Sequence, residues 1–345
     1  MAWEGIKRFI QRDMAMDLGT ANTLIYLRGK GIVLSQPSVV ARSIETGEIF
    51  AIGEKARQYW GKTPRGIEAV RPLKDGVVAD FDATRALVQV LLAKAQSKNP
   101  KGLLTPRIII AVPSMITQVE KKAVLDAARD AGAKKTYLLE ETMAAALGAD
   151  LNIKDSTPKM IVDIGGGTTE IAVIRDSAFV VCKSIGVAGD ELDEAIAKHI
   201  QKHFGIEIGI IMAEEIKWEI GSATKNSSNL KSSYNAKGKN LRTGVPITIE
   251  INSSDIYLAI QEPLLAISSA ILSVLDQLGP EDRIIIENNG LTLVGGGALL
   301  KGIDQFIEEQ TGIQAKIVAN PLTSVVSGAG IVVEDFNNYR NLFIN

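Results

Sequence analysis

Apolar and polar residues alternate in short runs over the first part of the chain and then settle into longer helical periods. Residues 13–27 alternate and then run apolar around Gly19, which predicts a β-hairpin. Residues 31–42 and 48–53 read as further strands, parted by the Thr46-Gly47 turn. Helical spacing appears over 82–96. The run Arg-Ile-Ile-Ile-Ala-Val at 107–112 predicts a buried strand ended by Pro113, and 117–131 an amphipathic helix. A short strand at 137–139 and a small-residue helix at 142–147 follow. Pro158 opens a second cycle, with strands at 159–164, 169–175 and 178–185 and helices at 190–204 and 213–220. Residues 222–242 are polar and turn-rich, and predict an exposed loop and hairpin. A long helix over 254–278, interrupted at Pro263, leads to a strand at 290–294, a Gly295-Gly-Gly-Ala turn, a helix at 299–311 and a last strand at 314–318. The order strand-turn-strand-strand, then helix-strand-helix, occurs twice. The pattern predicts an α/β protein with an internal duplication, its mixed sheets flanked by helices.

Composition narrows the function classes. A chain of 345 residues is too long for one core, so two lobes are expected. A net charge of −2 gives no reason to expect nucleic-acid binding. Cys182 is the single cysteine, which excludes an internal disulfide and fits a reducing compartment; it reads as an inert core thiol. His199 and His203 are spaced i,i+4, but no Glu lies beside them and no third ligand follows, so they read as surface residues rather than a zinc site. No run approaches the ~18 apolar residues of a membrane span, and no signal peptide is evident. The first twelve residues do carry a signal. On a helical wheel Ala2, Trp3, Ile6, Phe9 and Ile10 gather on one side, and Glu4, Lys7, Arg8, Gln11 and Arg12 on the other. An aromatic face backed by basic residues suits an anionic membrane surface. The alternative is a helix packed on its own domain or a frayed terminus; a terminal peptide rarely leaves a Trp and a Phe in solvent, which favours the membrane.

Two phrases carry the chemistry. Asp17-Leu-Gly-Thr-Ala-Asn follows one strand and Asp163-Ile-Gly-Gly-Gly-Thr-Thr-Glu another. Glycine lets backbone approach a phosphate closely, and successive N–H groups then make a concavity for an anion. An acid beside phosphate would repel it, but can hold the water shell of Mg²⁺. Asp17 and Asp163 are therefore candidate ligands to Mg²⁺ through water. Gly19, Thr20, Ala21 and Asn22 would line one side of a phosphate chain, and Gly165, Gly166, Gly167 and Thr168 the other. The third turn, Gly295-Gly296-Gly297, can admit a base or ribose. Each turn alone is most simply a hairpin; two of them with an acid at the same offset favour a nucleotide. Gly61-Lys62-Thr63 lacks the Gly that a P-loop needs where Ala56 stands. No Gly-x-Gly-x-x-Gly follows a strand with an acid about 20 residues on, so a Rossmann site is also set aside.

These phrases resemble the phosphate and adenosine motifs of the superfamily joining actin, DnaK-type chaperones and sugar kinases. The resemblance is narrower still. Asp17-Leu-Gly-Thr-Ala-Asn-Thr-Leu-Ile-Tyr, Gly29-Lys-Gly-Ile-Val-Leu, Gln36-Pro-Ser-Val-Val-Ala, Arg71-Pro-Leu-Lys-Asp-Gly-Val-Val-Ala-Asp-Phe and Val162-Asp-Ile-Gly-Gly-Gly-Thr-Thr-Glu are similar to the MreB family of bacterial actins, over about 13–333. That resemblance implies a duplicated actin-like (ribonuclease H-like) two-lobe fold with an interlobe nucleotide cleft. Residues 13–152 would form lobe I, with an insertion at about 33–77. Residues 153–333 would form lobe II, with an insertion at about 186–255, and 334–345 a tail returning to lobe I.

The resemblance also assigns roles. Glu141 matches the carboxylate that positions an attacking water, and Thr168 the hydroxyl that helps orient it. Glu214 and Lys217 match a pair that contacts the nucleoside, and Gly189-Asp190 faces the nucleotide. Where the family has proline after the catalytic Glu, this chain has Thr142, and losing the fixed corner would loosen Glu141. Leu103 and Leu104 match a loop that dips into the membrane beside the N-terminal helix. The implied protein is an ATP-binding, filament-forming cytoskeletal ATPase on the inner face of the cytoplasmic membrane. It would organise wall synthesis and rod shape with transmembrane morphogenesis proteins such as MreC, MreD and RodZ and with wall synthases. The rivals are a small-molecule kinase of the same fold, for which no sugar-binding loop is evident, and a DnaK-like chaperone. The latter needs a peptide-binding domain, whereas this sequence ends soon after its last strand.

Overall fold

Strand Met14–Leu18 is buried at every residue, which means that both its faces are covered, as in sheets carrying helices on each side. The computed structural model describes residues 13–61, 64–74, 76–97, 106–133, 135–225 and 232–344. Trp3, Ile6, Phe9, Ile10, Leu103 and Leu104, the membrane-facing candidates, lie outside the described residues. The chain divides into two compact units. One takes the chain up to Asp155, residues 176–178 and everything from Leu322; the other takes Ser156–Arg175 and Phe179–Pro321. The return to the first unit thus begins at Leu322, earlier than 334, because helix Ser324–Glu334 packs on the first unit's strands.

The first unit is built on a five-stranded sheet, in the order Lys135–Glu140, Arg107–Val112, Met14–Leu18, Asn22–Leu27, Gly31–Pro37. Met14–Leu18 runs parallel to Arg107–Val112 and antiparallel to Asn22–Leu27. Met14, Met16 and Leu18 share a core with Leu87, Leu91 and Leu92 of helix Phe81–Ser97 and Val124 of helix Gln118–Asp130. Ala15 points to the opposite face, and helix Ser324–Glu334 lies against this strand. That helix crosses helix Glu141–Gly148 backbone to backbone. A Cβ on Gly148 would run into the carbonyl oxygen of Ser324, and one on Gly328 into that of Ala144. The edge strand Lys135–Glu140 is covered by the C-terminal segment. Ile344 N–H donates to Leu138 O at 3.1 Å, and Tyr137, Phe336 and Phe343 form one aromatic cluster. Between the main strands, Val40–Ser43 forms its own small sheet with Ile49–Ile52 and Ile67–Val70.

The second unit repeats the plan. Its sheet runs Ala178–Ile185, Thr169–Arg175, Lys159–Ile164, Leu291–Val294, Ala315–Ile317. Lys159–Ile164 is antiparallel to Thr169–Arg175 and parallel to Leu291–Val294. Helices Gly189–Phe204, Ile210–Ile220 and Ser253–Leu275 supply Leu192, Ile196, Ile216, Ile260 and Ile271 to the core over Val162, Ile171 and Leu293. Several expectations change here. Helix Ser253–Leu275 runs through Pro263 without interruption; its interior position costs one backbone bond, offset by the buried face of Ile256, Ile260, Leu264 and Ile267. By length and hydropathy this helix could cross a membrane, yet half of its most apolar stretch is buried inside the unit. The hairpin expected within 222–242 lies further on, pairing Ser233–Asn240 with Pro246–Asn252. Cys182 is half-buried in strand Ala178–Ile185 rather than in the core. His199 is half-buried and stacks on exposed His203 with ring centroids 4.3 Å apart. Among the described residues no three His, Cys, Asp or Glu gather as a metal site.

Candidate functional site

Each unit carries one of the acid-and-glycine turns at the carboxyl end of its central strand, where α/β sheets usually bind ligands. In the first unit Asp17 stands near the end of Met14–Leu18, between Leu24 and Ala111 of the neighbouring strands. It is 9% exposed, and burial pushes its carboxyl up to about 7. A carboxylate in such surroundings gains most from a cation. The turn after it is tight. A Cβ on Gly19 would lie 2.7 Å from the Asn22 carbonyl oxygen. Thr20 is buried, Ala21 half-buried and Asn22 exposed. Ser38, just beyond strand Gly31–Pro37, ties the turn down. Its Oγ donates to Gly19 O at 2.6 Å, its N–H donates to Ala21 O at 2.9 Å, and its Oγ lies 2.8 Å from Thr23 Oγ1.

Glu141 opens helix Glu141–Gly148 directly after the edge strand Lys135–Glu140 and is half-buried. Thr142 is fully buried, with its Oγ1 3.1 Å from Ser114 Oγ. The corner at Thr142 is therefore tied, by a hydroxyl pair joining the ends of two adjacent parallel strands.

In the second unit Asp163 is likewise 9% exposed and sits beside Val294 of the parallel strand. Gly295 follows, at φ 82° and ψ 170°, a conformation essentially restricted to glycine. A Cβ there would strike Asp163 Oδ1 and the carbonyl oxygen of Ile164. Gly297 is packed against the Ile164 side chain in the same way, so local packing requires both glycines. Gly296 lies between them at the start of the short 3₁₀ turn Gly296–Leu299. The turn at 165–168 closes with Gly165 N–H donating to Thr168 O at 2.8 Å. The first amides of helix Gly189–Phe204 bond to it. Gly189 N–H donates to Gly165 O at 3.2 Å and Asp190 N–H to Gly166 O at 2.8 Å. Gly167 is buried and Thr168 half-buried.

Lys217 Nζ donates to Gly189 O at 2.8 Å and pairs with Asp193 Oδ1 at 2.8 Å. Asp193 has no counterpart among the residues expected from sequence. It is 3% exposed, and burial pushes its carboxyl up to about 7, against the pull of Lys217 and with the nearby charges of Glu214 and Asp190 adding to the rise. Asp190 and Asp193 lie i,i+3 on one helix, and that spacing was the available signal. The second unit thus brings Asp163, Gly165–Gly167, Gly189, Asp190 and Gly295–Gly297 together, and joins Glu214 and Lys217 to them through Asp193.

In each unit taken by itself the donor set fits phosphate with a divalent cation: a nearly buried carboxylate beside a turn whose carbonyl groups are tied. In a planar trans peptide the N–H that follows a carbonyl points the opposite way. Tying Gly19 O, Ala21 O, Gly165 O and Gly166 O directs the amides of Thr20, Asn22, Gly166 and Gly167 away from the ties. Gly295 supplies the close approach that lets Asp163 lie against backbone.

Two duplicated mixed sheets with these turns at their central strands define an actin-like fold. The crystal structure of MreB5 of Spiroplasma citri bound to ADP superposes with a TM-score of 0.90 at 33% identity, over 96% of this chain and 98% of that one. A MamK double helical filament, 20% identical with a TM-score of 0.77 over 94% of this chain and 99% of that one, shares the fold. The family model described as MreB/Mbl protein matches residues 11–341. The cell shape-determining protein MreB of Escherichia coli K12 is 43% identical over 95% of this chain and 96% of its own length. The cell shape-determining protein Mbl of Bacillus subtilis 168 is 41% identical over 94% and 97%. The chain belongs to the MreB/Mbl family.

Proposed function

We propose that this chain is an ATP-binding cytoskeletal protein that assembles into filaments on the inner face of the cytoplasmic membrane and organises wall growth and cell shape. The observation that carries the reading is the pair of acid-then-glycine turns at equivalent strand ends of two duplicated sheets, in a chain of the MreB/Mbl family. Support for the ligand comes from MreB5 of Spiroplasma citri, whose structures are bound to ADP and to AMPPNP. The turns would grip the phosphates of ATP or ADP, and Asp17 and Asp163 would hold Mg²⁺ through water. When bound, Mg²⁺ neutralises the phosphate chain, which is most of what phosphoryl transfer to water requires beyond positioning. Glu141 and Thr168 would orient the attacking water, giving slow hydrolysis coupled to polymerisation. Glu214 and Lys217 would face the nucleoside. Assembly would be head-to-tail, a heterologous contact that extends without closing. Residues 1–12 with Leu103 and Leu104 would hold the filament on anionic lipid, beside transmembrane morphogenesis proteins such as MreC, MreD and RodZ.

Sedimentation tests the reading. With ATP and Mg²⁺ the chain should pellet as polymer, and with anionic liposomes it should co-pellet unless residues 2–11 are deleted. Glu141→Ala should keep ATP binding and lose most phosphate release. A chain that binds no ATP and forms no polymer would overturn the proposal. Full phosphate release from Glu141→Ala would remove Glu141 from the site, and undiminished pelleting after the deletion would remove the terminal segment from membrane binding.

A further inference from the structure

We infer that Ser38 is a positioning residue for the first phosphate turn, and that it joins the turn to the small sheet inserted in the first unit. The inference rests on the nucleotide reading above. Ser38 is fully buried, as is Thr23. Its hydroxyl proton goes to the carbonyl of Gly19, which can only accept. Ser38 Oγ therefore has no proton left for Thr23, so the 2.8 Å contact between the two hydroxyls is Thr23 donating to Ser38. The result is a directed relay, Thr23 to Ser38 to Gly19, with the Ser38 amide holding Ala21 O beside it.

The relay has a consequence for ligand binding. Peptide planarity turns the Thr20 N–H away from the tied Gly19 carbonyl and the Asn22 N–H away from the tied Ala21 carbonyl. Without the Ser38 hydroxyl, the Gly19–Thr20 peptide loses the bond that fixes its plane. Gly19 lacks the steric restraint that would otherwise hold it, so its amide donors would be set only once an anion arrives, and the ordering would then weigh against binding.

Ser38 also stands at a junction. It follows strand Gly31–Pro37 of the main sheet, and after Val39 the chain enters strand Val40–Ser43 of the small sheet. Val39 O accepts from Gly53 N–H at 2.9 Å, which anchors the junction on the small-sheet side. A shift of the small sheet therefore pulls on Ser38, and Ser38 pulls on two carbonyls of the phosphate turn. Occupancy of the turn and placement of the small sheet are coupled through one serine.

Calorimetric titration of the full chain with ADP–Mg²⁺ and with adenosine tests this, because adenosine has no phosphate for the turn to grip. Ser38→Ala should weaken ADP binding by about three- to tenfold, the size of one net hydrogen bond, and leave adenosine binding unchanged. Ser38→Thr, which keeps the hydroxyl, should restore the ADP-to-adenosine ratio. A purely structural role would lower the melting temperature and keep the ratio. If Ser38→Ala does not fold, Thr23→Val reads the same ratio with a smaller shift, since it removes the donor behind Ser38. Hydrogen exchange of the Thr20 amide in nucleotide-free protein should speed up in either variant, while that of Asn22 should not, because Ala21 O stays tied to the backbone amide of residue 38. An unchanged ratio in a folded variant would overturn the inference alone. An unsubstituted chain with no affinity for ADP would overturn the nucleotide reading and this inference with it.

Discussion

Set side by side, the two turns are the same construction made with different donors. Asp17 and Asp163 hold the same place, each between an antiparallel and a parallel neighbour. Glycine stands two residues after each acid and a fully buried threonine six residues after, Thr23 in one unit and Thr169 in the other. Both threonines reach the segment beyond the third strand: Thr23 reaches Ser38, and Thr169 Oγ1 donates to Val187 O at 2.7 Å. In both, the first glycine's carbonyl is tied. The first unit ties Gly19 O with a side-chain hydroxyl, whereas the second ties Gly165 O with a helix amide. The first turn can therefore be retuned by replacing one side chain. The second is fixed by backbone, and only a change that moves the helix can loosen it.

The largest effect is expected at Gly295, where the units also part company. The residue after Asp17's parallel partner is Val112, buried in its strand; the residue after Asp163's is Gly295. Gly295→Ala forces a Cβ into the glycine-only region and onto the Asp163 carboxylate. The strained backbone alone costs roughly 1–3 kcal/mol, and displacement of Asp163 adds to it. A melting temperature lower by several degrees with loss of measurable ADP–Mg²⁺ binding is expected by calorimetry. Normal binding in the variant would show that Asp163 does not need its place against the backbone.

Next in size is Lys217, which has no equivalent in the first unit's turn. Lys217→Met leaves Asp193 buried without its cation, beside Glu214 and Asp190. Breaking such a pair costs about 3–5 kcal/mol when the remaining group stays charged, and less here near neutral pH, because Asp193, already raised to about 7, takes up a proton instead. The pH dependence follows from the sign of the shift. Asp193 has a folded-state value raised from 3.8 to about 7, so the folded state binds its proton more tightly than the unfolded state does. Its contribution to stability is fully present below about 3.8 and is lost as pH rises through about 7. Removing Lys217 raises the value further, so urea midpoints should fall much more at pH 8 than at pH 5. An equal fall at both would mean that Asp193 is not the group left uncompensated.

Local chemistry made part of this readable in the sequence, and tertiary packing hid the rest. Asp17, Asp163 and their glycines were legible because strand end, acid and turn are contiguous. The duplicated strand order was legible from periodicity alone. Helix Ser324–Glu334 was not expected: no element is predicted after 318, and Ser-Gly-Ala-Gly at 327–330 carries two glycines, which are poor helix formers. Its small residues instead serve the backbone contact between Gly328 and Ala144, and the same helix moves the unit boundary to Leu322. Helix Pro280–Asn289 was missed as well: it buries only Ile286, too little to leave a periodic signal. Asp193 carries no motif of its own in the helix expected over 190–204; its burial against Lys217 is what singles it out. Ser38 lay inside a segment read as one continuous strand over 31–42, and the break at that serine is what turns its hydroxyl onto Gly19.

The smallest effect is expected at Gly189, and it measures how firmly the second turn is held. Its amide ties Gly165 O at 3.2 Å, while an added Cβ would lie 3.3 Å from that same oxygen and 3.5 Å from Lys217 Nζ. Gly189→Ala does not break the helix, since alanine is the better helix former by about 1 kcal/mol. It presses on the tied carbonyl instead, and the neighbour must give by a few tenths of an ångström. Helix propensity and the push on Gly165 then oppose each other, so the melting temperature should move by no more than a few degrees. ADP affinity should fall by less than in Ser38→Ala, because the Asp190 amide still holds Gly166 O at 2.8 Å. If Gly189→Ala weakens ADP more than Ser38→Ala does, the backbone-tied turn is the more easily disturbed of the two. The contrast between a tunable first turn and a fixed second one would then be reversed.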